Sequence, residues 1–223
     1  MDWSPILISM RTAGLSIVFT FFMGILAAWM VVRISHPLVK TILDGIFTIP
    51  LVLPPTVVGF FLLYVFGVKR PVGQFFLEYF SVKIAFSWGA TVLAAVVMSF
   101  PLMYRSARGA FEQVDDTLVQ AARTLGMGEW TIFRKVLLAN AVPGVVSGGV
   151  LAFARGLGEF GATAMIAGNI AGKTRTLPMA VYSEVAAGNM EAAYSYVAII
   201  VVIAFLSVFL MNGVMWYSQK KSR

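Results

Sequence analysis

Residues Gln120 to Pro143 read QAARTLGMGEWTIFRKVLLANAVP. The stretch is charged and helix-patterned, yet it lies between two apolar runs long enough to cross a membrane. It belongs to a polar block from Arg105 to Lys135, which holds nine of the chain's 27 charged residues. Within the block Phe111, Val114, Leu118, Ala122 and Leu125 recur at steps of three and four, the spacing of one amphipathic helix. Thr117 and Gln120 have capping-box spacing, which predicts a helix starting or restarting at Thr117. Gly126 is placed to stop that helix in a left-handed conformation. Trp130, Phe133 and Leu137 then repeat like one face of a second helix. The plain reading is a solvated loop with a surface helix. The sharper one is a rigid helix–glycine–helix knob on the inner membrane face, able to receive force from a soluble partner.

The remainder of the chain is a membrane protein by composition. Of 223 residues 59% are hydrophobic and 12% charged, with mean hydropathy +0.86; soluble domains carry about 25% charged residues. With no cysteine there is neither a disulfide framework nor a thiolate metal site. The net charge of +7 is read through the position of the cations, and no nucleic-acid partner is expected. A spanning helix needs roughly 20 mostly apolar residues. Five runs qualify: Ala13 to Val32, Gly45 to Val68, Ile84 to Tyr104, Val136 to roughly Gly168, and Ala192 to Ser218. The first lacks a basic leader and a small-residue cleavage site, so it is expected to remain as a span. Met1 to Met10 is left open as a short interfacial segment. With the N-terminus outside, ten basic residues fall on inner segments, among them Arg33, Lys40, Lys220, Lys221 and Arg223, and six on outer ones, including Arg11, Lys173 and Arg175. That bias orients the bundle N-out and C-in.

Three features inside the spans stand out. Pro50, Pro54 and Pro55 must kink or break the second span, either as a packing kink or as a bend lining a pathway. Gly144, Gly148, Ala152 and Gly156 form a small-residue stripe suited to close helix approach, with a neighbour in the same chain or in a second copy. Arg155 and Glu159 lie four apart at membrane depth, where charge is expensive. They read either as a mutually neutralised pair or as a source of positive potential for an anion path. Ala167 to Thr174 fits a loose nucleotide-binding loop, but it follows a membrane span rather than a strand, so no ATP binding is expected there. Lys173 and Arg175 read instead as an outer gate or a docking surface. His36, the one histidine, precedes Pro37 in a short loop. No His, Asp and Glu cluster has metal-ligand spacing, and no nucleophile–base arrangement is visible, which counts against an intramembrane enzyme.

The polar block resembles the EAA loop of ABC importer permeases: Glu-Ala-Ala, three residues, Gly, nine residues, then Ile-x-Leu-Pro. Here the pattern falls on Gln120-Ala121-Ala122, Gly126 and Val136-Leu137-Leu138-Ala139, with Gln120 in place of Glu and Ala139 in place of Pro. Further runs extend the likeness over nearly the whole chain. They are Leu51 to Gly59, Ser99 to Leu102, Ala122 to Gly126, Leu151 to Ala162 and Gly172 to Pro178, and they resemble the molybdate permeases of the oxyanion branch. The Gly-Glu-Phe-Gly run at Gly158 to Gly161 is shared with sulfate permeases. Some relatives carry an extra N-terminal helix that this chain is expected to lack.

The resemblance implies an all-α, polytopic bundle of about five transmembrane helices, like a type I ABC importer permease. It would be a single transmembrane domain over residues 1–223, with a cytoplasmic coupling loop at about 105–140. Gln120, Ala121, Ala122, Gly126, Glu129, Trp130 and Phe133 would couple to the ATPase, and Pro54, Pro55, Arg155 and Glu159 would belong to the pathway or its intramembrane charge. Lys173 and Arg175 would meet the binding protein or form the outer gate. The implied partners are a second copy, two ATPase subunits, an extracytoplasmic molybdate-binding protein and membrane lipid. The chain itself binds no cofactor; ATP and Mg serve the partner ATPase. The expected setting is the cell membrane of a prokaryote. Tungstate or sulfate/thiosulfate import is the alternative within the family, and a stand-alone channel or secondary carrier the alternative outside it. The absence of an internal repeat counts against a carrier.

Overall fold

The computed structural model describes residues 2–221, with side chains followed to Leu210. Arg223 and the side chains of Lys220 and Lys221, the basic tail expected on the inner face, lie outside the described part. The described residues are helical, with connecting turns and no strand. In order they form α1 (Ser4–Val32), α2 (Pro37–Val52), α3 (Pro55–Phe66), α4 (Pro71–Phe80), α5 (Trp88–Glu112), α6 (Asp116–Thr124) and α7 (Glu129–Ile132). A π-helical turn, Phe133–Leu137, leads into α8 (Leu138–Leu157), followed by α9 (Gly161–Ala167), α10 (Leu177–Ala186) and α11 (Met190–Lys221).

Among the described residues four stretches are long and apolar enough to cross a membrane: Ser4–Val32, Trp88–Glu112, Glu129–Leu157 and Met190–Leu210. The fifth expected span is the pair α2 and α3, bent by 110°. The break has a direct cause. Pro54 and Pro55 offer no N–H, Leu53 and Pro54 are extended, and α3 starts afresh at Pro55.

Three expected boundaries are corrected. The first span starts at Ser4 rather than Ala13, so residues 4–10, left open as an interfacial segment, belong to α1. The Asp2 carboxylate accepts from the Ser4 N–H (2.9 Å) and hydroxyl (2.7 Å), and Pro5 occupies the first turn. The third span begins at Trp88, where Ser87 accepts from the Ala90 N–H, and continues to Glu112. The fourth span starts at Glu129 and stops at Leu157, where the Gly158 N–H closes the last turn on Ala154. Residues 161–167 therefore form a separate helix.

The interior is built around α5. On one side α1 presents a row of buried hydroxyls: Thr12 pairs with Thr91 at 2.9 Å and Thr20 with Ser99 at 3.0 Å, and the Trp88 indole N–H donates to Thr12. On the other side lies the small-residue stripe of α8. A Cβ at Gly144 would sit 2.7 Å from that of Ala110, one at Gly148 2.4 Å from that of Ser106, and one at Gly156 3.2 Å from the Ser16 hydroxyl. The stripe's neighbours are thus α5 and α1 of the same chain. Helices in lipid lack a hydrophobic drive toward one another, so this close contact and the buried hydroxyl pairs supply the association.

Gly148→Leu is expected to force α8 away from α5 and to destabilise the fold by about 1–3 kcal/mol, the usual cost of overpacking. Gly14→Ala, where an added Cβ meets nothing within 4 Å, is the control. Thermal unfolding of the detergent-solubilised protein, read as monodisperse fraction against temperature, checks the difference.

Candidate functional site

The helix–glycine–helix knob forms, with a shifted start. α5 carries Phe111 into the core, so the single amphipathic helix expected over Phe111 to Leu125 is two pieces. Asp115, rather than Thr117, caps α6: its extended backbone precedes the helix and its carboxylate accepts from the Thr117 N–H at 2.9 Å. That bond holds the Asp115 carboxyl below the ordinary range. Gly126 adopts φ +74°, its N–H bonds to the Arg123 carbonyl at 2.9 Å, and the Met127 N–H bonds to Ala122 at 3.1 Å. This is a Schellman closure, and a non-glycine residue would be strained there.

The knob has an inner and an outer side. Ala122 and Phe133 are buried. The Phe133 ring lies 4.7 Å from Trp29 of α1, 5.2 Å from Trp130 and 6.0 Å from Phe111. Gln120 and Ala121 are exposed, and so are three large apolar groups: Leu118 at 47%, Leu125 at 81% and Trp130 at 56%. Glu129 is the tie. It pairs with Arg123 of α6 at 2.9 Å and with Arg33, just past α1, at 3.3 Å, while Arg33 also stands 4.8 Å over the Trp29 ring.

A second charge cluster escapes the sequence reading. Arg108 pairs with Asp44 and, at 3.0 Å, with Glu112; Lys40 reaches Glu112 at 2.9 Å; and the Tyr104 hydroxyl donates to Asp44. It joins α2 to the end of α5. The Arg108 and Glu112 spacing of four was a visible signal. Asp44, a lone acid ahead of an apolar run, gave no sign of its partners.

Arg155 and Glu159 form an ion pair at 2.6 Å but do not share a helix. Glu159 lies beyond the end of α8, is only 2% exposed, and accepts from the Ala162 N–H at 2.7 Å, so it joins α8 to α9. The proline break packs against this junction. A Cβ at Gly161 would lie 2.8 Å from that of Pro55, and one at Gly59 2.7 Å from Ala162. Pro54 and Thr56 remain exposed.

Lys173 and Arg175 sit apart from all these groups, in the turn before α10. The Ile170 carbonyl accepts the N–H groups of Lys173, Thr174 and Arg175 at 2.9–3.1 Å, and the Thr174 hydroxyl accepts the Ile170 N–H. Those amides are spent within the loop and form no phosphate cradle. Arg175 donates to the Asn169 side chain at 2.9 Å, and Lys173 is exposed.

Residues 20–223 match the family described as the binding-protein-dependent transport system inner membrane component. The chain is 42% identical to the molybdenum transport system permease protein ModB of Escherichia coli K12, over 99% of this chain and 96% of the relative. It is 36% identical to the Haemophilus influenzae protein of the same name, over 100% and 96%. It is 32% identical to the sulfate transport system permease protein CysT of Salmonella typhimurium, over 92% and 73%. Among solved structures, an inward-facing MetNI methionine ABC transporter aligns with TM-score 0.74 at 18% identity, over 96% of this chain and 94% of that one. A bacterial ABC transporter for alginate import aligns with TM-score 0.78 at 15% identity, over 96% and 78%. The chain belongs to the binding-protein-dependent inner membrane components: it is a multi-pass permease subunit with the type I ABC importer fold.

The Arg155–Glu159 pair yields a direct test. Arg155→Leu leaves Glu159 buried without its partner, a loss of about 3–5 kcal/mol for broken buried pairs. Membrane abundance of folded Arg155→Leu and of Glu159→Leu is expected to fall, and the double substitution to recover a large part of it. Full abundance with abolished transport in Arg155→Leu alone would make the arginine a pathway residue.

Proposed function

We propose that this permease imports an oxyanion, molybdate, at the expense of ATP hydrolysed by a partner subunit. It works as two copies with two ATPase subunits on the inner face and a molybdate-binding protein on the outer face. Residues 1–223 form one transmembrane domain, with the N-terminus outside and the coupling loop, about 105–140, in the cytoplasm. The cargo is inferred from the molybdenum permease relatives; sulfate is the second reading, favoured by the likeness to CysT.

One observation carries the coupling role: a rigid knob exposes Leu118, Leu125 and Trp130 around a left-handed glycine while its underside is locked to α1. Exposed apolar groups on a charged helical element fit a groove in a soluble partner. Gln120, Ala121 and Trp130 make the contact, and Ala122, Gly126, Glu129 and Phe133 hold the knob in shape. Closure of the ATPase pair moves α6, and α5 and α8 carry that displacement into the membrane. The nucleotide thus biases a two-state equilibrium between inward-open and outward-open forms. The break at Pro54 and Pro55, packed on the α8–α9 junction, gives the pathway its bend, with Arg155 and Glu159 fixing that junction. Lys173 and Arg175 receive the binding protein. ATP and Mg are bound by the partner, and this chain performs no covalent step.

The reading is tested by reconstituting the permease with its ATPase and binding protein in liposomes. ATP-dependent uptake of labelled molybdate, little reduced by excess sulfate, is the expected result. Sulfate uptake in its place would move the assignment to the second reading.

Gly126→Val tests the knob itself. A β-branched residue at positive φ costs roughly 1–2 kcal/mol, which misplaces α6 without disturbing the spans. Insertion is expected to be normal, while co-purification of the ATPase and uptake both drop. Normal recruitment with normal uptake would remove the docking role.

A further inference from the structure

We propose that Arg105 is the point where the anionic cargo is attracted at the inner mouth of the pathway, a transient oxyanion contact that precedes release. The proposal rests on the oxyanion reading above and deepens it.

The observation is an imbalance among the cations near this end. Lys40 and Arg108 are engaged by Glu112 and Asp44, and Arg33 and Arg123 by Glu129, while Arg105, like Arg134 and Lys135, has no carboxylate partner among the described residues. Arg105 forms no ion pair and no hydrogen bond among the described residues, and it is exposed on a helix whose neighbouring positions Met103, Tyr104 and Ala107 are buried. It lies seven residues before the end of α5, about 10 Å along the axis. With the proposed orientation that depth falls near the inner interface, where a guanidinium reaches water.

Arg105 also lines two cavities at once. One, of about 630 Å³, opens between α5 and α8 and includes Ser106, Gln113, Asn140 and Ser147. The other, of about 570 Å³, opens between α2 and α5 and includes Thr41 and Thr48. Thr41, Thr48 and Asn140 donate to backbone carbonyls of their own helices, whereas the Ser106 and Ser147 hydroxyls and the Gln113 amide have no partner among the described residues and can donate to oxyanion oxygens. The carboxylates on these walls already have partners: Asp115 takes the Thr117 N–H, Asp44 takes Tyr104 and Arg108, and Glu112 takes Lys40 and Arg108. The space is open at its narrowest residues, since a Cβ at Gly45 or Gly109 meets nothing within 4 Å.

The chemistry suits passage better than storage. A cation facing water attracts an anion without holding it, because solvent and salt screen the pair. The half-exposed pairs around it leave Arg105 as a cation that no carboxylate contacts among the described residues. Both cavity walls carry both signs, Arg105 with Asp115 in one and Arg105 and Arg108 with Asp44 and Glu112 in the other, so the attraction is that of one locally uncompensated guanidinium rather than of a wholly positive cleft.

The chain has no cysteine, so Arg105→Cys introduces a single thiol in the permease. In the complete reconstituted transporter this substitution is expected to cut oxyanion uptake about tenfold, the low end of electrostatic steering. ATP hydrolysis stimulated by the binding protein should stay at its wild-type level. Treatment with 2-aminoethyl methanethiosulfonate, which restores a positive charge, should return most of the uptake, and the 2-sulfonatoethyl reagent should not. The wild-type complex treated with the same reagents is the control for thiols on the partners. Arg105→Lys should transport well and Arg105→Gln poorly. Equal rescue by both reagents, or normal uptake in Arg105→Gln, would overturn the proposal. So would loss of complex assembly in both the Gln and Cys variants, which would assign Arg105 to the fold. A wild-type complex that carries neither molybdate nor sulfate would instead remove the oxyanion reading itself.

Discussion

The close approach of α8 to α5 is the contact on which the other arrangements depend. Gly144 and Gly148 let the α8 backbone press against Ala110 and Ser106, and Gly156 lets it reach Ser16 of α1. Lipid is as apolar as leucine, so a membrane helix gains little from burying apolar side chains against a neighbour; dispersion contact and polar pairs must do the work. The same α5 takes the α1 hydroxyls on its other side through Thr91 and Ser99. A helix held on two sides, continuing without a break to Glu112, behaves as a shaft, and α6 is attached to its end after a turn of three residues.

That geometry explains why the charged block is placed where it is. Glu129 spans Arg123 and Arg33, so α6, α7 and the end of α1 share one anionic centre. Glu112 and Asp44 do the same for α2 and α5 through Lys40, Arg108 and Tyr104. Exposed pairs of this kind contribute little stability one at a time. Arranged as two bridges around the α5 turn, they fix orientation, and on the proposed reading they spread a push on α6 over four helices.

The sequence announces part of this. Runs of uncharged residues mark the membrane segments because a charge in lipid is costly wherever the helix ends, and Gly126 marks a stop because only glycine takes φ +74° without strain. The small-residue stripe also signals close packing by itself, though which helices it meets, α5 and α1, is set by the tertiary fold. Helix ends are harder. Thr117 has the right spacing for a cap, but Asp115 two residues earlier offers a carboxylate to the same first turn and takes the position. The end of α8 is hidden because Gly158 to Gly161 is as apolar as a helix, apart from Glu159. Asp44 is invisible as a partner because Tyr104 and Arg108 lie some sixty residues away, and no local pattern encodes a pairing across helices.

The two backbone breaks meet, which is a consequence of solvation. An interrupted helix exposes peptide groups that lipid cannot satisfy, so such breaks persist where protein or water covers them. Pro55 against Gly161 and Gly59 against Ala162 cover one side, the Glu159 carboxylate takes an otherwise free N–H at the start of α9, and Arg155 neutralises that carboxylate. On the proposed reading the consequence for transport is electrostatic. A carboxylate recruited to cap a helix at this depth would repel an anion, and its arginine cancels the repulsion rather than offering a net attraction. The junction is thereby close to neutral toward the proposed oxyanion cargo, neither a barrier nor a trap.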